Sequence, residues 1–220
     1  MPQPLNLAEG LALSTFAPEG KPRFGRWERD AAAAAGWLVE LELAGRIELN
    51  PLGVSAVDPT PAGEVQLDAV LQEIQQAEMQ DLRGWALQLL AHDPGELTMG
   101  KLVERGIVST ERRGFLWINR TWYPELDPEP RREFLRGLQL ADGAEPDRRT
   151  AAALVISDAG GIDRAVFPDI SRAAFAARVD QVTGQQWRTP ADRQLMRDLH
   201  LAVRTSANLG TDWPHAVRRG

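Results

Sequence analysis

The sequence contains no cysteine. That excludes a disulfide framework, a thiol nucleophile and a zinc site built on thiolates, and it fits a reducing compartment. Lysine is almost missing as well: Lys21 and Lys101 stand alone, and every other basic side chain except histidine is arginine. With its many alanines, glycines and prolines, this is the codon usage of a GC-rich genome and points to a bacterial source. Histidine is limited to His92, His200 and His215. None has a partner at metal-ligand spacing, and neither HExxH nor GxSxG occurs. No glycine-rich phosphate loop is present; Gly160-Gly161 follows a helical stretch and reads as its stop. The expectation is a protein that is not an enzyme and holds no metal or cofactor, with an enzyme of unrecognised site as the remotest alternative. Long apolar runs are missing too: nothing approaches the roughly 20 uninterrupted residues that span a bilayer. Met1-Pro-Gln-Pro lacks the basic start and apolar run of a signal peptide. Any membrane contact is therefore expected to be peripheral, from the cytoplasmic side.

The net charge of −6 disfavours nucleic acid as a partner, because nucleic-acid binders carry a basic surface. Residues 31–56 do have the outline of a helix followed by a hairpin, as in a winged helix. That helix is too apolar to lie in a groove, and its exposed positions carry Glu40 and Glu42, the wrong sign for phosphate. Two residues apart, these carboxylates do not share a helix face.

What is present is mostly helix. At 220 residues and 43% hydrophobic, the chain is long enough for one good-sized core, and a single domain over 1–220 is expected. Asn6 is placed to cap a helix over 7–14. The stretch PEGKPRFGRWER (18–29) reads as a loop, with Asp30 capping a very apolar helix over 31–44. A turn at Asn50-Pro51-Leu52-Gly53 between alternating residues predicts a β-hairpin. Helical spacing recurs through 67–74, 82–90 and 97–105, with 92–96 as a loop. Further helices are predicted after Pro130, after Asp147, over 171–182 and over 190–206, and the tail from about 207 reads as partly disordered. His200, among leucines and valine, reads as a hydrogen-bonded structural histidine. The fold class is mainly α, a central apolar helical bundle surrounded by amphipathic helices, with two β-hairpins, one protruding.

The second hairpin carries the most unusual segment, RRGFLWINRTWYP (112–124). Successive strand residues point to opposite faces, so Phe115 and Trp117 would occupy one face and Leu116 and Ile118 the other. Both faces are apolar, bracketed by Arg112, Arg113 and Arg120. Such a tip suits a bilayer interface, where Trp sits at headgroup level and each arginine near anionic lipid adds about 1 kcal/mol. Burying four such side chains at about 1.5–3 kcal/mol each supports reversible docking. It equally suits a protein interface, with an oligomer or a client protein covering the tip.

Three blocks in order, GWLVELELAGRIEL (36–49), LVERGIVSTERRGFLWI (102–118) and AEPDRRTAAALVISDAGGIDRAVFP (144–168), with PAGEVQLDAVL (61–71) between the first two, resemble the Golgi phosphoprotein 3 family. That family includes a yeast vacuolar sorting relative and many bacterial members, and the likeness runs from about Leu5 to Phe175. The resemblance implies a mostly helical single domain with a protruding hairpin. It also implies a peripheral membrane adaptor that binds phosphatidylinositol 4-phosphate and retains glycosyltransferases by their cytoplasmic tails. The family's headgroup pocket, a Trp and three basic residues, aligns here with Gly25, Ala34, His92 and Gly95. Its side chains are thus not reproduced position by position. Trp27, Arg23, Arg26 and Arg29 lie in the neighbouring loop and, with His92, are the candidates for an anionic headgroup pocket. The family's membrane-contacting stretch falls on Phe115, Leu116, Trp117 and Ile118, flanked by Arg112 and Arg113. The expected partners are an anionic membrane lipid, membrane-protein tails and, through the hairpin, a second copy of the chain. The alternative is a soluble protein–protein adaptor whose apolar hairpin is an oligomer or client interface.

Overall fold

The computed structural model describes residues 3–50, 53–78, 80–115, 118–138, 145–184 and 189–212; for 115, 118, 119 and 209–212 it describes the backbone alone. In chain order the elements are α1 (Leu7–Ser14), α2 (Arg26–Leu43), β1 (Ile47–Asn50), β2 (Gly53–Ala56), α3 (Val65–Gln76) and α4 (Leu82–Leu89). A short 3₁₀ turn (Leu90–His92) leads into α5 (Pro94–Glu104), β3 (Glu111–Phe115), β4 (Ile118–Trp122), α6 (Glu129–Gly137), α7 (Arg148–Ala159), α8 (Asp163–Val166), α9 (Arg172–Thr183) and α10 (Pro190–Asp212). The mainly helical single domain with two antiparallel hairpins is as the sequence predicts.

Three helices form the centre. Every residue of α1 is buried, as is α7 from Thr150 to Ser157 and α2 from Asp30 to Val39. Small side chains permit this. A Cβ added to Gly36 of α2 would lie 2.6 Å from the Cα of Ala8 in α1, so the two backbones touch with nothing between them. Around this centre α10 packs on α2, α7 and α4, while α5 packs on α2 and α1.

The start of α1 is closed by reciprocal hydrogen bonds. Glu9 N donates to the Asn6 side chain at 2.8 Å, and the Glu9 carboxylate accepts from Asn6 N at 3.0 Å. That carboxylate is buried and also meets Lys101 of α5 at 3.0 Å and Arg105, which caps the end of α5, at 2.6 Å. At the far end of α2, Glu40 accepts from Leu7 N at 2.5 Å and pairs with Arg149 at 2.9 Å, while Glu42 pairs with Arg148 at 2.7 Å. The two glutamates take separate arginines, in keeping with their separate faces. Burial pushes both carboxyls above their ordinary range, against the pull of the arginines.

Three boundaries differ from the sequence expectation. First, α2 begins at Arg26, with Gly25 as its N-cap, so Asp30 lies inside the helix rather than capping it. Asp30 finds a partner four residues back, Arg26 Nε at 3.0 Å, and that i,i+4 pair extends the helix toward the chain's start. Second, residues 92–96 are not a loop. The 3₁₀ turn ends at His92, Asp93 adopts φ +52°, and α5 starts at Pro94, where a proline is already set for a first helical turn. Third, α10 does not stop at 206. It continues to Asp212 because Ser206 is fully buried and Ala207 packs on the core. Residues 213–220 lie outside the described residues. Helix α8 was not anticipated.

In the first hairpin Ile47 pairs with Ala56 and Asn50 with Gly53, and Ile47, Leu49 and Val54 are buried. The second pairs Glu111 with Trp122 through to Phe115 with Ile118. Its strands pack mainly on each other, and Glu111, Arg112, Arg113, Gly114 and Arg120 are all exposed, so it stands out from the domain.

The contact between α1 and α2 leaves no room for a side chain. Gly36→Val is expected to lower unfolding stability by about 1–3 kcal/mol through overpacking. Gly100→Ala, where an added Cβ meets nothing within 4 Å, serves as the control and is expected to hold or raise the urea midpoint.

Candidate functional site

The connection between α1 and α2 crosses the root of the second hairpin. Tyr123 N donates to Gly20 O at 3.0 Å and Glu125 N to Pro18 O at 3.0 Å. Gly20 has φ +86°, and a Cβ there would lie 2.3 Å from Pro124 N; only glycine meets both demands. The Tyr123 ring stands edge-on to Phe16 at 5.1 Å. These contacts fix β4 beside the first turn of α2 and leave a groove of about 740 Å³ between them.

Four guanidinium groups line this groove: Arg23 from the connection, Arg26 and Arg29 from α2, and Arg120 from β4. They divide into two kinds. Arg26 is tied by Nε to Asp30 at 3.0 Å and by Nη2 to Asp93. Arg29 lies 3.5 Å from Asp30 and 4.0 Å from Glu96, with its guanidinium over the Phe16 ring at 5.6 Å. Arg23 and Arg120 are exposed and form no ion pair with any described residue. Two of the four guanidinium groups thus carry no ion pair among the described residues, while the Glu28 carboxylate stands over Gly25 at the groove wall.

Asp30 anchors the arrangement. Its side chain is 3% exposed. Burial pushes its carboxyl above the ordinary range; Arg29 and then Arg26 pull it back. Its Oδ1 and the Arg29 Nε are both buried and make no hydrogen bond, so their 3.5 Å approach is an ion pair and not a charge-assisted hydrogen bond. Glu96 is fixed from the other side, accepting from Tyr123 Oη at 2.8 Å. Burial, and then that bond, hold the Tyr123 phenol well above its usual range.

Residues 7–199 match the family model described as Golgi phosphoprotein 3 (GPP34). The chain belongs to the Golgi phosphoprotein 3 family. The match runs from the first residue of α1 well into α10, so it takes in the whole helical centre and both hairpins. It is a family of Golgi-associated membrane adaptors. Among the described residues no helix is long and apolar enough to cross a membrane.

In this member of the Golgi phosphoprotein 3 family, Arg23, Arg26 and Arg29 line one groove. Two other candidates do not join them. Trp27 is half-buried in the first turn of α2 and does not line the groove, and His92 pairs with Glu73 of α3 at 3.1 Å. Of the positions that align with the family's pocket, Gly25 lines the groove and Ala34 is buried in the core. Gly95 is pressed against the Asp30–Arg29 pair: a Cβ there would fall 2.3 Å from Asp30 Oδ1. The same corner of the fold is thus furnished with different side chains.

The hairpin places Arg112 on β3 opposite Thr121. Arg113 faces Arg120 across the strands, a repulsive pairing. It turns to Glu111 at 2.6 Å and lies over the Trp122 ring at 4.3 Å. Leu116 and Trp117, with the side chains of Phe115 and Ile118, lie outside the described residues. Sequence reasoning placed Arg120 only as a flank of the hairpin and missed Asp93 and Glu96 altogether. A signal for Arg120 was available in its register opposite Arg113, which leaves one of the two arginines to turn elsewhere.

Replacing Arg29 with methionine keeps an aliphatic stem beside Gly95 and deletes the charge. The buried Asp30 carboxyl then rises further above its unfolded value of 3.8. The folded state takes up that proton before the unfolded state does, so the deficit is full at neutral pH and shrinks as pH falls toward 3.8. The expected loss is about 3 kcal/mol at pH 7, measured by urea melts from pH 7 downward. A deficit that does not vary with pH would show that Asp30 is not the group relieved.

Proposed function

We propose that this chain is a peripheral membrane adaptor that docks on a surface bearing anionic, phosphate-carrying headgroups. By family likeness the reference headgroup is phosphatidylinositol 4-phosphate. The headgroup lies in the arginine groove, and the hairpin stretch Phe115, Leu116, Trp117 and Ile118 meets the bilayer beside it. One observation carries this reading: Arg23 and Arg120 face the groove without a carboxylate partner among the described residues, and Arg120 sits on the very hairpin that would touch the membrane. Guanidinium groups present several donors in a planar fork matched to phosphate oxygens. Its role is binding, with no covalent step, at the cytoplasmic face of the membrane, and tails of membrane proteins are its clients.

The test is flotation of the full chain with neutral phosphatidylcholine vesicles and with vesicles doped with phosphatidylinositol 4-phosphate or phosphatidylglycerol. Binding is expected to the anionic vesicles alone and to fall as salt is raised. Arg23→Ala with Arg120→Ala is expected to weaken it roughly thirtyfold, at about 1 kcal/mol per arginine. Phe115→Ser with Trp117→Ser is expected to abolish it. Equal binding to neutral vesicles, or none to any, overturns the reading. If the same hairpin variant instead shrinks the particle on a sizing column without any flotation, the hairpin is a subunit interface and the chain a soluble adaptor.

A further inference from the structure

The groove contains its own competing anions. Asp93 and Glu96 come from the turn that opens α5, and each reaches a groove arginine that Asp30 also holds. The two acids are held differently from Asp30. The Asp30 side chain is 3% exposed and cannot leave without unpacking α2. The Asp93–Arg26 pair is open to water, with the two side chains 54% and 59% exposed, and exposed ion pairs are weak. Arg26 therefore has one permanent partner on Nε and one exchangeable partner on Nη2.

The backbone supplies a second, independent observation. Asp93 is the one non-glycine residue with positive φ among the described residues, at +52°. Residues other than glycine adopt this conformation at a cost. Here it delivers the carboxylate to Arg26, 67 positions away in the chain, one residue before Pro94 opens α5.

Resting on the reading that the groove takes an anionic headgroup, we infer that Asp93, supported by Glu96, sets the charge a ligand must carry. A ligand engaging Arg26 has to take the place of Asp93. A phosphodiester or a carboxylate brings one negative charge and replaces one, so the exchange gains nothing at Arg26. A phosphomonoester brings about 1.5 to 2 negative charges and three acceptor oxygens near neutral pH. It exceeds what Asp93 supplies and reaches Arg23 and Arg120 at the same time. The groove thus prefers phosphomonoesters to monoanionic headgroups, and the filter is an acid and not another base.

The test measures binding of the full chain to phosphatidylcholine vesicles doped with phosphatidic acid, a phosphomonoester, or with phosphatidylglycerol, a monoanionic phosphodiester, at matched surface charge. A separate titration with soluble glycerol 3-phosphate tells a free phosphomonoester from a membrane-held one; the groove's preference for the monoester is expected in both settings, with the vesicle binding tighter. The wild-type chain is expected to prefer phosphatidic acid. Asp93→Asn is expected to raise phosphatidylglycerol binding about fivefold and to narrow the preference accordingly. Asparagine also tolerates positive φ, so the turn is kept. In an Arg26→Ala background Asp93→Asn is expected to change nothing, because its effect runs through that guanidinium.

An unchanged preference in Asp93→Asn overturns the filter, and so does an equal gain with and without Arg26, which would mark a general charge effect. Failure of the underlying reading is a separate result: Arg23→Ala with Arg120→Ala would then leave vesicle binding untouched. If that pair weakens binding while Asp93→Asn leaves the preference alone, the groove stands and the filter falls.

Discussion

One helix imposes the main constraint on this protein. Between residues 31 and 39, α2 carries no charge and is buried on every side, with α1, α5, α7 and α10 packed around it. Its ionisable side chains are confined to its ends, Arg26, Glu28, Arg29 and Asp30 at one and Glu40 and Glu42 at the other. A charge near a core survives only if it is paired. Each end of α2 therefore recruits opposite charges from other elements, and this pairing decides where they sit.

The two ends resolve differently. At the C-terminal end the pairing is closed. Glu40 takes Arg149 and the Leu7 amide, Glu42 takes Arg148, and Arg149 donates on to Leu5 O at 3.2 Å. Nearby, Glu9 is held by Lys101 and Arg105. That end joins α1, α2, α5 and α7 into one body. At the N-terminal end the balance is left open. Asp30 draws Arg26 and Arg29 to the surface of the fold, and the turn before α5 meets them with Asp93 and Glu96. The connection and β4 then add two arginines with no carboxylate partner among the described residues. The candidate binding site is the unbalanced end of the central helix.

Most of the scaffold was legible in the sequence because its causes are local. Asn6 and Asp147 stand at the starts of α1 and α7 and accept from Glu9 N and Thr150 N. Alternating residues around a turn marked the first hairpin, and the likeness to the Golgi phosphoprotein 3 family is carried by ordered blocks that include 36–49. What failed was non-local. Asp30 stands before an alanine run as a capping residue would. Whether an aspartate caps or pairs depends on which cations reach it, and Gly95, which makes room for it, lies 65 positions on. The cluster of Arg23, Arg26 and Arg29 was visible as a run of arginines. Its completion by Arg120 and its opposition by Asp93 required knowing that the hairpin root and the start of α5 meet the same corner.

The hairpin and the groove form one mechanical unit, and this ties the two halves of the functional reading together. The root of β4 is clasped by the connection at Gly20 and Pro18 and by Ser109 N donating to Pro124 O at 2.8 Å. Just beyond it, the Glu125 carboxylate is buried against Arg131 of α6, whose Nη2 also donates to Leu13 O at the end of α1 at 2.9 Å. Burial pushes the Glu125 carboxyl up and the Arg131 guanidinium down from their ordinary values. A buried ion pair of this kind contributes little net stability, and its value lies in fixing geometry. Here it fixes the angle at which the hairpin leaves the domain. Arg120 reaches the groove from a strand whose root is hydrogen-bonded to the connection between α1 and α2. On the proposed reading, a headgroup held in the groove would orient the hairpin toward the surface that carries it, and joining both contacts at one corner would lower the entropy lost in docking.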